Sequence, residues 1–315
     1  TFFSLMLVIS FFNIKIWHIT SYFIYLIILL LLIWVSIYGV KVSGSQRWIN
    51  LYFIVLQPSE LMKIGIILCL AKYYHRLKID NVNSFVHIIV ALTIIAIPII
   101  LVLFQPDLGT SILIASSGLI TLWLGGVKIK YFFISFIGFL ISLPFIISFL
   151  KPYQKLRILT FLDPDRDPLG AGYQIIQSKI AIGSGGLTGK GFLKGTQSYL
   201  EFLPEKHTDF IFTLFSEEFG FFGSIGLLIL YIVIISRIIR IGAISRSNFA
   251  RLFCFGFAFA IFIYIVVNLS MVLGLLPIVG SPLPIMSYGG SSMLATMIGF
   301  GIVLSAKINH KQTIS

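Results

Sequence analysis

The chain is predicted to be an all-α, polytopic integral membrane protein with about nine transmembrane helices, the first of them incomplete. Three observations predict this fold class. Apolar residues make up 58% of the 315 positions and charged residues 11%, with a mean hydropathy of +1.02, whereas soluble domains carry about 25% charged residues. Sustained hydrophobic windows recur along most of the chain. The segments joining many of them are short and rich in Lys and Arg.

The first window, near 1–12, falls short of the ~20 residues that a spanning helix needs. The chain also opens on Thr1-Phe2-Phe3 with no Met and no signal peptide, so the true N-terminus is expected upstream. Full windows follow near 20–40, 57–75, 84–104, 109–126, 131–150, 209–236, 249–271 and 290–306. The segment 151–208 is too polar to cross and reads as a large loop within one membrane domain, 1–315. In it, Asp163-Pro-Asp-Arg-Asp-Pro168 is turn-rich, and Tyr173–Ile182 predicts a short amphipathic helix. Gly183-Ser-Gly-Gly-Leu-Thr-Gly-Lys-Gly191 resembles a nucleotide loop but fails its pattern. Gly191 stands where Ser or Thr would hold magnesium. Flexible backbone or a backbone nest for a diphosphate remain as readings. Cys69 and Cys254 lie in apolar runs, so neither a disulfide nor a zinc site is indicated.

A formal charge of +12 would suggest nucleic acid in a soluble protein. Here much of it sits in short loops, where it sets orientation, and nucleic acid is excluded as a partner. Lys15; Arg76 and Lys78; Lys128 and Lys130; Arg237, Arg240, Arg246 and Arg251; and Lys307 and Lys311 fall on alternate crossings. By the positive-inside rule that side, and the C-terminus, is cytoplasmic. The opposite, extracytoplasmic side receives Lys41 and Arg47, the Gln105–Asp107 turn, the segment 151–208 and the Gly274–Gly289 loop. No ATP or NAD is available there.

Ionisable groups concentrate on that outer face. Asp209 stands where a polar run containing Glu201, Glu205, Lys206 and His207 passes into an apolar helix, with Glu217 and Glu218 two turns further in. Thr208 or Asp209 can cap that helix, but capping does not account for the density of charge at a water–lipid boundary. Arg47, in Gly44-Ser-Gln-Arg47-Trp48, fits a phosphate fork or a lipid headgroup. Trp48 and Tyr52 suit the interface. Glu60 and Lys63 lie one turn apart on a helix opened by Gln57-Pro58-Ser59. They form either a structural ion pair or, as charges inside a span, part of a site. Asp107 either caps the next helix or serves that site. Pro282, Pro284, Ser287 and Gly289-Gly290-Ser291 form a broken, hydroxyl-rich entry of the kind that lines a cavity or is buried against protein.

These residues also carry a family resemblance, over about Gly44 to Ser305. Gln-Pro-Ser-Glu at 57–60, Gln-Pro-Asp-Leu-Gly-Thr at 105–110, Gly-Ala-Gly-Tyr-Gln at 170–174, Phe-Leu-Pro-Glu-Lys-His-Thr-Asp-Phe-Ile-Phe at 202–212 and Ser-Tyr-Gly-Gly-Ser at 287–291 resemble the SEDS family (shape, elongation, division and sporulation). Gly195-Thr-Gln-Ser198 is closer to its elongation branch than to its division branch. The resemblance implies ten helices with both ends cytoplasmic. It implies a peptidoglycan glycosyltransferase using lipid II, a disaccharide-pentapeptide on undecaprenyl diphosphate, in the bacterial cytoplasmic membrane. The family's catalytic aspartate maps onto Asp209, which suits a base for a sugar hydroxyl. Arg47, Lys63 and Lys206 are candidates to meet the diphosphate, and Glu60, Asp107, Glu217 and Ser287 to shape the site. A divalent cation, Mg or Mn, is implied by the family alone, with Asp209 and Glu217 as candidate ligands. The implied partners are a class B penicillin-binding protein and other membrane proteins of the elongation complex. The alternatives are a lipid II flippase, a scaffold that only docks the transpeptidase, and the division paralogue.

Overall fold

The computed structural model describes residues 2–42, 45–50, 55–149, 152–163, 170–195 and 207–314. Tyr52, Glu201, Glu205, Lys206 and Ser198 lie outside the described residues. Each hydrophobic window is a helix: α1 Phe2–Phe11, α2 Ile14–Tyr38, α3 Pro58–Arg76, α4 Phe85–Phe104, α5 Leu108–Leu124 and α6 Ile129–Phe149. After the loop helices α7 Pro152–Leu162 and α8 Ala171–Ser184 come α9 Ile211–Ile244, α10 Asn248–Val272 and α11 Gly290–Ile308. Among the described residues, five helices are each long and apolar enough to cross a membrane: α2, α4, α9, α10 and α11. Helices α1 and α5 are apolar but shorter, while α3 is interrupted by Glu60, Lys63 and Lys72.

Boundaries moved where local chemistry outweighed hydropathy. Helix α2 starts at Ile14, ahead of the window at 20, because the Asn13 side chain accepts the Lys15 amide at 2.9 Å. Lys15 therefore sits in a first turn and not in a loop. Helix α9 runs past residue 236 to Ile244, carrying Arg237 and Arg240, both exposed, on stems long enough to reach the headgroups. The sequence reading missed α7. It also missed a three-stranded antiparallel sheet between α2 and α3: β1 Val40–Val42, β2 Ser45–Asn50 and β3 Val55–Leu56.

The contacts group the chain into two compact units. One comprises Thr1–Val127, Val233–Ile263 and Gly289–Ser315. At its centre stands α3, opened by Pro58 at its first helical position. Met62, Ile64, Ile66–Leu70 and Ala71 are all buried, as expected of a helix enclosed on every face. Helix α1 packs on α11 at Gly301, where any side chain would collide with Ile9, and Ser305 Oγ donates to the Phe12 carbonyl at 2.6 Å. Val35, Ile49 and Leu56 pack the small sheet against α2.

The second unit comprises Lys128–Ile232 and Tyr264–Tyr288. Ser178 of α8 is fully buried, hydrogen-bonded to Thr213 Oγ1 at 2.8 Å and donating to the Val272 carbonyl at 2.8 Å. One hydroxyl thus ties α8 to both α9 and α10.

Candidate active site

The sequence-selected residues divide between the two units. In the first unit they form a polar knot at the N-termini of α3 and α5. Asp107 caps α5, accepting the Thr110 amide at 3.0 Å through Oδ1. Its Oδ2 meets Gln57 Nε2 at 3.2 Å and Arg47 Nη1 at 3.3 Å. Arg47 also donates through Nε to the Gln105 carbonyl at 3.0 Å and through Nη2 to the Pro106 carbonyl. The guanidinium is a clamp on the 105–107 turn, a use that neither sequence reading of Arg47 contained. Gln105 in turn donates to the Leu32 carbonyl and to Ser36 Oγ. One turn into α3, Lys63 Nζ lies 2.6 Å from Glu60 Oε1, and both residues are buried.

In the second unit Asp209 sits in the turn 207–210 that precedes α9, half-buried. The backbone of this turn is held from two elements. Asn268 of α10, with no exposed surface, donates one amide hydrogen to the Asp209 carbonyl at 2.8 Å and the other to the Ser281 carbonyl at 2.7 Å. Ser287 Oγ donates to the Thr208 carbonyl at 2.6 Å and accepts the Leu283 amide at 2.7 Å. The Tyr288 amide donates to the His207 carbonyl at 2.9 Å. The loop that supplies Ser281, Ser287 and Tyr288 is fastened by Tyr231, whose hydroxyl donates to the Pro284 carbonyl at 2.6 Å. A methyl group at Gly280 would lie 3.4 Å from Asp209 Oδ2, so the carboxylate lies against that glycine. The backbone that carries this carboxylate is thus fixed from two elements.

Glu217 and the glycine-rich loop form a different arrangement. Helix α9 breaks at Gly220, whose φ of 65° and ψ of −162° are not helical. The loop fills the break with backbone. Lys190 and Gly191 amides donate to the Glu217 and Glu218 carbonyls, each at 3.0 Å. Phe221 and Phe222 amides donate to the Gly186 and Leu187 carbonyls at 2.9 and 3.1 Å. Lys190 Nζ then pairs with the fully buried Glu217 at 2.7 Å. The loop is therefore neither free backbone nor an open nest, since its Lys190 and Gly191 amides are engaged with α9.

Among the described residues no group of three or more His, Cys, Asp or Glu side chains stands close enough to hold a metal ion. Glu217 is a poor fit to a ligand role, because it is fully buried and its Oε1 is already paired with Lys190 Nζ. Asp209 suits one only in the manner of magnesium sites that combine one or two carboxylates with substrate phosphates. Sequence reasoning missed Asn268, although a lone amide in an otherwise apolar span is a signal in itself. It also missed the pairing of Lys190 with Glu217, residues 27 positions apart.

Comparison with known proteins identifies the family. The FtsW/RodA/SpoVE model, described as "Cell cycle protein", matches residues 2–312. The chain is 46% identical over 294 residues to peptidoglycan glycosyltransferase MrdB of Escherichia coli K12, covering 92% of this chain and 78% of MrdB. It is 37% identical over 301 residues to a probable peptidoglycan glycosyltransferase FtsW of Trichlorobacter lovleyi, covering 94% of this chain and 77% of that protein. A solved chain from "Structural coordination of polymerization and crosslinking by a peptidoglycan synthase complex" superposes with a TM-score of 0.84 at 33% identity, over 99% of this chain and 88% of its own. The rod shape determining protein RodA of Thermus thermophilus superposes with a TM-score of 0.71 at 26% identity, over 98% and 84%. By matches that run nearly end to end, this chain belongs to the FtsW/RodA/SpoVE family of cell cycle proteins, the SEDS family.

Proposed function

We propose that the chain is a peptidoglycan glycosyltransferase that joins lipid II disaccharides into glycan strands at the outer face of the cytoplasmic membrane, for rod-shaped elongation. The observation that carries the reading is the Asp209 turn: a carboxylate on a firmly held backbone, in a chain 46% identical to a peptidoglycan glycosyltransferase. Asp209 accepts the proton of the GlcNAc 4-hydroxyl as that oxygen attacks the MurNAc C1 of a donor. The bond to the lipid diphosphate breaks, and undecaprenyl diphosphate leaves. General-base assistance of this kind contributes roughly 10²–10⁴ in rate. Glu60 and Lys63 act on the electrostatics of the diphosphate, and Arg47 and Asp107 keep the 105–107 turn in place. Lys206 belongs to the polar run entering the Asp209 turn and is a further cation for the leaving group. A divalent cation, for which Asp209 is the candidate ligand, would supply charge neutralisation to the leaving group.

A transpeptidase partner is supported by likeness to a chain of a peptidoglycan synthase complex that coordinates polymerisation and crosslinking. Identity to MrdB, higher than to FtsW, favours elongation over division. Purified protein given lipid II in detergent tests the reading. Glycan strands are the expected product, and with no compartments present a pure flippase makes none.

Two further results are expected. Asn268→Leu removes the amide bond to the Asp209 carbonyl and the one that ties the neighbouring loop at Ser281, leaving the turn held by Ser287 and Tyr288. Turnover should fall about 10²-fold, the cost of a 1 Å misplacement, with KM for lipid II little changed. A proportional rise in KM would place Asn268 in substrate binding instead. For orientation, cysteines at Ser198 and at Arg246, the exposed neighbour of the buried Ser245, are labelled in spheroplasts with an impermeant reagent. Position 198 should react and position 246 should not; labelling at 246 would invert the topology.

A further inference from the structure

We propose that the glycine-rich loop Gly185–Gly195 is a membrane-inserted tip, seated in lipid acyl chains beside the break in α9. The proposal rests on the membrane fold and is independent of the polymerase reading. Four observations lead to it.

The first is depth. The loop pairs with α9 at residues 217, 218, 221 and 222, where Glu217-Glu218 gives way to the apolar run of that helix. Counting ~20 residues of span back from Arg237, the first inner charge of α9, reaches residue 217. The loop is thus fastened at the edge of the hydrocarbon and not above it. The second is backbone satisfaction, because irregular chain survives at that depth only when its polar groups are paired. Four bonds to α9 pair the base of the loop in this way, and within the loop the Gly189 amide donates to the Gly185 carbonyl at 2.8 Å and the Lys194 amide to the Gly191 carbonyl at 3.1 Å.

The third is the composition of the tip. The Lys194-to-Gly191 bond closes a turn whose two corner residues are Phe192 and Leu193, exposed at 69% and 74%. Corners in water favour Gly, Asn, Asp or Pro. Leu193 moreover adopts φ 59°, where glycine or asparagine is the unstrained choice. Two large apolar side chains kept at such a corner suit an apolar medium. Lys190 and Lys194 do not oppose this. The first is paired with Glu217, and the second has a stem long enough to return its charge to the headgroups.

The fourth is continuity. Phe192 meets Phe219 of α9 at 6.3 Å between ring centroids, and Phe221 and Phe222 on the same helix are 54% and 64% exposed. The tip extends the surface that the span presents to lipid, which favours acyl chains over a protein partner as the occupant.

Spin labels placed singly by Phe192→Cys and Leu193→Cys, with Cys69 and Cys254 changed to Ala, test the proposal. The full chain is reconstituted in phosphatidylethanolamine–phosphatidylglycerol vesicles, with Leu230→Cys as the mid-span standard and Lys311→Cys as the water standard. Both tip labels should collide with oxygen in preference to a water-soluble nickel chelate, giving a ratio closer to position 230 than to 311. A chelate-favoured ratio places the loop in water and overturns the proposal. Low collision with both reagents means that protein covers the tip, which overturns it equally. Two adjacent sites guard against one variant that fails to insert.

Discussion

Asp209→Asn is expected to fold, insert and bind lipid II normally while losing glycan synthesis by roughly 10²–10⁴-fold. The substitution keeps the size and hydrogen-bonding capacity of the side chain and removes its basicity. The bonds that hold the turn explain why folding should survive. Asn268 and Ser287 contact the carbonyls of Asp209 and Thr208, not the carboxylate. An unchanged melting temperature together with lost strand formation is the expected pair of results. Near-normal synthesis would remove Asp209 from the role of base.

Glu60→Gln should be strongly destabilising, because it leaves the Lys63 charge buried without its 2.6 Å partner. Breaking one side of a buried pair typically costs about 3–5 kcal/mol. Adding Lys63→Met removes both charges, and thermal unfolding of the double variant should return close to that of the wild type. Activity should not return with it. Stability is restored by packing, whereas an electrostatic contribution to the diphosphate is not. Full glycan synthesis in the double variant would confine the pair to a structural role.

Most of the helical frame was legible because lipid imposes one rule on every span: its backbone must be satisfied within the segment. Hydropathy therefore located each of the long helices, and period and turn residues located α8 within two residues at each end. Local chemistry was legible too, as in the Asp107 cap and the one-turn spacing of Glu60 and Lys63. Long-range bonds were not. Arg47 finds its partners 58 and 59 positions away, and Asn268 reaches Asp209 across 59. The glycine-rich loop illustrates the limit best. Its composition signals freedom, yet that freedom is consumed where Gly189 and Gly220 bring two backbones closer than any side chain would permit. The small sheet between α2 and α3 escaped notice for the same reason, since its strands are two to six residues long and defined by pairing alone.

The central claim, that Asp209 is the base at a sugar hydroxyl, is tested most directly by a structure of the Asp209→Asn variant with a lipid II analogue bound. The account predicts the GlcNAc 4-hydroxyl of the acceptor within hydrogen-bonding reach of the side chain at position 209, about 3 Å away. The donor's C1 should lie on the far side of that hydroxyl, with the turn still held by Asn268 and Ser287. A ligand whose diphosphate, and not its sugar hydroxyl, occupies position 209 would contradict it.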